Sequence, residues 1–212
     1  LAIVTLDTRA AEGARRLAVG LCGAHRTGKT TLAQGLAERL GLPFARTSTA
    51  QVFQHHGLNP ADVLDSATRL WIQGEILVAA QAVWAEYPHG FITDRTPMDF
   101  MAYTLADMHA AQAVNHEMVN DYLTACFAAT HRYFSHLAVV QPGIALMPEP
   151  GKAALHPAYI EHLNTLIIGL CHDERAHPST TLVLPRACLA LTDRLAWLES
   201  KLARLRTTPE AA

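Results

Sequence analysis

No charge excess marks this chain: of 212 residues, 17 are Lys or Arg and 19 are Asp or Glu, for a formal charge of -2. A surface that coats nucleic acid draws on many basic residues, so the totals give that class no support, although a local basic groove would not show in them. Cysteines are few. Cys22, Cys126, Cys171 and Cys188 are scattered without a C-x-x-C pair, which favours reduced thiols in a cytosolic setting over disulfides or zinc. Histidine is plentiful, yet His55 and His56 are adjacent and no H-E-x-x-H or Cys/His cluster occurs, so metal-ligand spacing is missing. Long apolar runs are absent as well. The opening "LAIVTL" is too short for a membrane span or the core of a signal peptide. The chain opens on Leu1, which reads as a missing natural start or a processed end, and residues 1–15 read as an extension before the first core strand. Without repeats, low-complexity tracts or a long interior linker, residues 16–206 form one expected domain, with 207–212 as a tail. Half the residues are hydrophobic, enough for a full core in a soluble, cytoplasmic protein.

What the sequence does have is concentrated in "RLAVGLCGAHRTGKTTLAQGLAERLG". Gly23, four residues, then Gly28, Lys29 and Thr30 match the P-loop pattern G-x-x-x-x-G-K-[ST]. A triphosphate is best held by converging backbone N–H groups, and side chains would obstruct that approach, hence the glycines. Lys29 reaches β- and γ-phosphates, the Thr30 hydroxyl is placed to ligate Mg²⁺, and the helix that follows points its positive end at the anion. The context agrees: "LAVGLC" reads as a buried strand, and Leu32, Leu36 and Leu40 share one face of the next segment. The expected nucleotide-binding segment is Gly23, Ala24, His25, Arg26, Thr27, Gly28, Lys29, Thr30 and Thr31. Within it Thr31 reads as a helix residue before a ligand, and His25 and Arg26 equally as solvent-facing loop residues.

Downstream, "LPFART" reads as a second strand, with Ser48 or Thr49 capping a short helix that stops at Gly57. Asn59 and Pro60 read as the N-cap and first position of a long helix reaching Tyr87. A third strand over Phe91–Thr93 ends in Asp94 and Arg95, and Thr96, Pro97 and Asp99 open another helix. A helix from about Asn115 to Tyr133, the strand "HLAVVQ", a loop, the helix "AYIEHLNTLIIGLCHD", the strand "TTLVLP" and a closing helix complete the order. The expectation is an α/β P-loop NTPase, a five-stranded parallel sheet with helices on both faces. Ligands then belong at the carboxyl ends of the strands.

"FITDRTPMD" delivers an acid and a base at such an end. Asp94 is placed to order Mg²⁺ or accept a hydroxyl proton, and Arg95 to clamp an anionic group. The alternative is structural, with Asp94 capping the next helix and Arg95 paired to a surface acid. Arg46, after the second strand, and Arg69 and Gln73, one turn apart on the long helix, are acceptor-side candidates. Trp71 and Trp84 read as packing residues, and Arg194, Arg204 and Arg206 as solvated surface.

The P-loop with "GKTTLA", the strand-end "TDRTPMDFMAY", the segment from "HLAVVQP" to "HPAYIEHLN" and the closing "DRLAWLESKL" together resemble the small P-loop kinases. That group includes nucleoside and nucleoside-monophosphate kinases and the nicotinamide-riboside-kinase-like AAA-type proteins of bacteria and phages. The resemblance runs from about Arg16 to Leu205; its P-loop is highly specific and the remainder is largely order and length. It implies ATP and Mg²⁺ as cofactors, with Thr30 and Asp94 as metal ligands, Lys29, Asp94 and Arg95 as catalytic residues, and an adenine-side loop at Pro185–Ala187 that includes Arg186. It also implies a lid at about 142–156. Such lids usually carry several arginines, whereas this one has the single cation Lys152, so either Lys152 serves with Arg26, or Arg175 reaches back, or closure neutralises the transferring phosphate poorly. Adenine over guanine also follows from the resemblance, and no N/T-K-x-D guanine motif is present.

The activity so implied is transfer of the ATP γ-phosphoryl group to a small nucleoside-like or nucleotide acceptor. A hydroxyl of a nucleic acid, at a 5′ end or on a hydroxymethylated base, is the alternative acceptor. A nucleotide-gated ATPase switch is the other alternative, and the lack of a separate strand-end acid followed by a catalytic glutamate speaks against it.

Overall fold

A computed structural model of the chain describes residues 16–108, 115–145, 156–176 and 180–207. The elements run β1 (Leu17–Cys22), α1 (Lys29–Leu40), α2 (Thr49–His55), α3 (Ser66–Ala85), β2 (Gly90–Thr93), α4 (Pro97–Met108), α5 (His116–Tyr133), β3 (His136–Val140), α6 (Pro157–Cys171), β4 (Thr180–Leu184) and α7 (Leu191–Thr207). The strands form one parallel sheet in the order β2-β1-β3-β4, with Val19 opposite Ile92 on one side and His136 on the other.

Alternation along each strand divides the core in two. Val19, Leu21, Ile92, Ala138, Val140 and Leu182 face a cluster with Leu32 and Leu36 of α1 and Leu195, Leu198 and Leu202 of α7. Ala18, Cys22, Phe91, Leu137 and Val139 face the other way, into a larger cluster from α3 to α6. Both faces are therefore covered, as continuous apolar strands require, and only the carboxyl ends of the strands remain for chemistry. Among the described residues, no helix is long and apolar enough to cross a membrane.

Four of the sequence expectations need correction. The sheet has four strands where five were expected: the "LPFART" segment is reduced to a single bridge, Phe44 to Ile92. Pro43 has no N–H to donate, so contact is limited to Ile92 N donating to Pro43 O at 2.9 Å and Ala45 N donating to Ile92 O at 2.8 Å. The long helix starts at Ser66 and not at Pro60, because Asn59 and Asp62 close a turn of their own, with Ala61 N donating to Asn59 Oδ1 at 2.9 Å. Asp65 is the cap instead, accepting from Thr68 N at 2.8 Å. Trp84 is fully buried against Phe134 and Tyr133, but Trp71 is 45% exposed, edge-on to His56. Arg194 is no surface residue, being only 4% exposed. The four cysteines are free thiols, with Cys22 and Cys171 Sγ atoms 3.5 Å apart inside the core.

Candidate functional site

The P-loop leaves β1 at Cys22 and enters α1 at Lys29. Gly23 has φ 155° and Gly28 φ 77°, values that favour glycine; a side chain on Gly23 would also run into the Val140 carbonyl. No side chain caps α1, so its first N–H groups and positive dipole end stay available to an anion. Thr27 donates its hydroxyl to Ala24 O at 3.0 Å, bracing the turn from within. From α7, which packs against α1, Arg194 donates to Thr27 O at 2.9 Å. That brace was invisible in the sequence, where Arg194 sits among other helix cations.

Lys29 is 8% exposed. Its ammonium turns back into the loop, donating to Gly23 O and, at 2.8 Å, to Ala24 O, with Asp99 Oδ1 at 3.9 Å. Burial lowers its pKa to about 8, opposed by Asp99 and Asp94 and assisted by Arg95. A polyphosphate would favour the charged form of this desolvated ammonium.

At the end of β2, Asp94 Oδ2 accepts a hydrogen bond from the Thr30 hydroxyl. Asp94 therefore does not cap α4. That cap is a reciprocal box in which Thr96 N and Oγ1 donate to Asp99 Oδ2 at 2.9 and 2.8 Å, while Asp99 N approaches Thr96 Oγ1 at 3.4 Å. Thr30 and Asp94 bring together two hard oxygen donors beside the glycine loop, a set suited to Mg²⁺, which takes few protein ligands and fills its shell with water and phosphate oxygens. Arg95 is half-buried, and its charge acts on Asp99, Lys29 and His25.

The acceptor-side candidates part company. Arg69 pairs with Asp107 of α4 at 3.2 Å, and Tyr159 of α6 acts on the same carboxylate, whose pKa burial raises against the pull of Arg69. Tyr103, one turn before Asp107, accepts from His25 N at 3.0 Å and contacts the His25 Nδ1 at 3.0 Å. Burial, with Lys29, Arg26 and Arg95 nearby, lowers the His25 pKa, so the imidazole is neutral. His25 is thus built into the wall between the loop, α4 and α6, and not a loop filler. Gln73 is half-buried on α3 beyond Arg69. Arg46 is exposed and lines a separate cavity of about 320 Å³ between α2 and α3. Thr31 is exposed on α1.

On the other side of the loop, Arg26, Thr27, Gly143, Ile144, Arg186 and Leu189 line a cavity of about 520 Å³. Arg186 forms a fork with both carboxylate oxygens of Glu161 at 2.6 Å and donates to Gln141 Oε1 at 3.2 Å. Arg175 does not reach this region: it pairs with Asp173 at 2.7 Å and lies over the Phe127 ring. Lys152 and most of the expected lid lie outside the described residues. Sequence reasoning missed Asp99, Tyr103, Asp107 and Tyr159. Only Asp99 had a signal, its spacing from Thr96, and that spacing spoke of a helix cap alone.

A family model described as an AAA domain matches residues 18–142, more than half of the chain and the whole P-loop to strand-end constellation. The chain belongs to this AAA-domain family. No curated protein matches it. Among solved structures, the AAA-domain protein is similar to deoxyadenosine kinase from M. mycoides with bound dCTP, at TM-score 0.61 and 15% identity, covering 89% of this chain and 98% of that one. It is also similar to the NadR protein in complex with NR, at TM-score 0.62 and 12% identity, over 92% of this chain and 52% of NadR. Thymidylate kinase from Ehrlichia chaffeensis follows at TM-score 0.56 and 12% identity, over 89% and 98%. At these identities the likeness is one of fold, and the fold is that of the small P-loop kinases.

Proposed function

We propose that this AAA-domain protein is a kinase that moves the γ-phosphoryl group of ATP to a small nucleoside-like or nucleotide acceptor. The observation that carries the reading is the contact between the Thr30 hydroxyl and Asp94, with Lys29 and Arg95 near enough for their charges to act on each other. A P-loop, an oxygen pair for a divalent cation and a strand-end guanidinium then converge where a γ-phosphate meets an acceptor. The loop's backbone N–H groups other than those of Gly23 and His25, which Asp99 and Tyr103 hold, bind the β- and γ-phosphates together with Lys29, and Arg95 neutralises the transferring group. Mg²⁺, held by Thr30 and Asp94, supplies further charge neutralisation when bound. Asp94 also orients the acceptor hydroxyl, which matters most for a nucleoside, since a monophosphate acceptor needs no strong base. The cavity beside Arg26 and Arg186 is assigned to the adenine, and the wall of Arg69, Asp107 and Tyr103 to the acceptor.

The test is a screen of nucleosides, nucleoside monophosphates and oligonucleotides with γ-labelled ATP and Mg²⁺. Label appearing in one class of small acceptor supports the proposal. Label appearing only in oligonucleotides replaces it with a nucleic-acid kinase, and label in none of them removes it.

A further inference from the structure

Resting on the reading of Gly23–Thr30 as the ATP site, we propose that Asp99 is a positioning residue of the nucleotide loop, holding the Gly23 peptide in place when Lys29 leaves it for the phosphates. Asp99 is fully buried, and both its oxygens are committed. Oδ1 accepts from Gly23 N at 2.9 Å. Oδ2 accepts from Thr96 N and Oγ1 at 2.9 and 2.8 Å. One carboxylate therefore ties the first glycine of the loop to the first turn of α4, immediately after Asp94 and Arg95, and sets the spacing of the two halves of the site.

The state of Lys29 gives this tie its function. Here the Gly23 residue is held at both ends, its N–H by Asp99 and its C=O by the Lys29 ammonium. An ammonium that reaches a triphosphate gives up Gly23 O and Ala24 O and moves away from Asp99. The bond from Gly23 N to Asp99 is then the side-chain anchor that remains on that peptide. A helix cap needs only Oδ2, so the commitment of Oδ1 to a residue 76 positions away is not explained by capping. Asparagine cannot replace it: the amide has one oxygen, the two donors of Thr96 N and Oγ1 draw it to their side, and its own N–H then faces the Gly23 N–H. A buried N–H left without an acceptor costs the loop its fixed shape.

The experiment compares Asp99→Asn with Thr96→Val in the full chain, measuring the Kd of MgATP by calorimetry without acceptor, together with the melting temperature. Thr96→Val keeps the side-chain shape and removes only the hydroxyl half of the cap. Asp99→Asn is expected to weaken MgATP by about tenfold, the scale of one charged hydrogen bond, while Thr96→Val melts earlier with Kd within about twofold of the parent. Two variants that both melt earlier and both bind MgATP like the parent overturn the proposal and leave Asp99 a cap. If Asp99→Asn does not fold, the parent protein decides: the scalar coupling across the hydrogen bond from Gly23 N to the Asp99 carboxyl carbon is expected to persist with MgADP bound, and its loss on binding overturns the proposal. A parent that does not bind MgATP at all refutes the ATP-site reading and this inference with it; a parent that binds while the Asp99 results fail refutes only the inference.

Discussion

The buried ammonium of Lys29 makes nucleotide binding depend on pH. In the empty loop its pKa is lowered to about 8, mainly by burial, whereas beside phosphates the charged form is favoured and stays protonated well above that value. At pH 9 roughly nine-tenths of empty sites are then neutral, and binding MgATP takes up about 0.9 proton; at pH 7 the uptake falls to about 0.1. Linkage converts the pH 9 figure into about a tenfold weaker apparent affinity than at pH 7. The neighbours do not blur this window: burial pushes Tyr103 up to about 12, and His25, lowered by burial, is already neutral. Calorimetry in two buffers of different ionisation enthalpy reads the uptake directly. For the empty protein the sign is that of a depressed pKa: this group's contribution to stability is fully present above the unfolded value and lost as pH falls through about 8. Proton uptake near zero at pH 9, with affinity unchanged from pH 7, would refute the reasoning.

Three further outcomes are expected. Lys29→Ala abolishes phosphoryl transfer and leaves the circular dichroism spectrum unchanged, since the ammonium sits within the loop on Gly23 O and Ala24 O and not in the apolar core. Arg95→Lys keeps the charge but loses the bidentate fork, so kcat/KM falls by tenfold or more with the melting temperature within a degree or two, and Asp94→Asn behaves likewise; earlier melting with parent activity would make both residues structural. Arg194→Met keeps most of the stem volume and removes the brace on Thr27, lowering stability by about 1–2 kcal/mol, or a melting shift of about 3–6 °C, with weaker MgATP binding; an unchanged melting point would mean that the contact from α7 contributes nothing.

The sequence made legible whatever depends on local order. Gly23, Gly28, Lys29 and Thr30 are fixed by a spacing that only a phosphate-binding turn requires, and Asp94 and Arg95 by their place at the end of an apolar strand. Positions set by long-range packing were opaque. Arg194 lies in the first turn of a helix rich in other charges, and nothing local distinguishes a guanidinium that threads under Thr27 from one in solvent. Asp99 announced its cap because Thr96 lies three residues away, but its other oxygen meets Gly23 only after the sheet has formed. The fifth strand failed for a related reason: the composition of Leu42–Arg46 suits a strand, while Pro43 and its place at the sheet edge limit it to one bridge. The long helix began late because Asn59 closes an Asx turn of its own, while Asp65, which sequence reading did not single out, accepts from Thr68 N and caps the helix.

The central claim, that the γ-phosphoryl group goes to a bound acceptor, is tested most directly by following its fate. With γ-labelled ATP, Mg²⁺ and the best small acceptor from the screen, the account predicts that ADP release depends on acceptor and that the label is recovered on it in equal amount. ADP release at the same rate without acceptor, with all label in inorganic phosphate, would contradict the account and identify an ATPase switch.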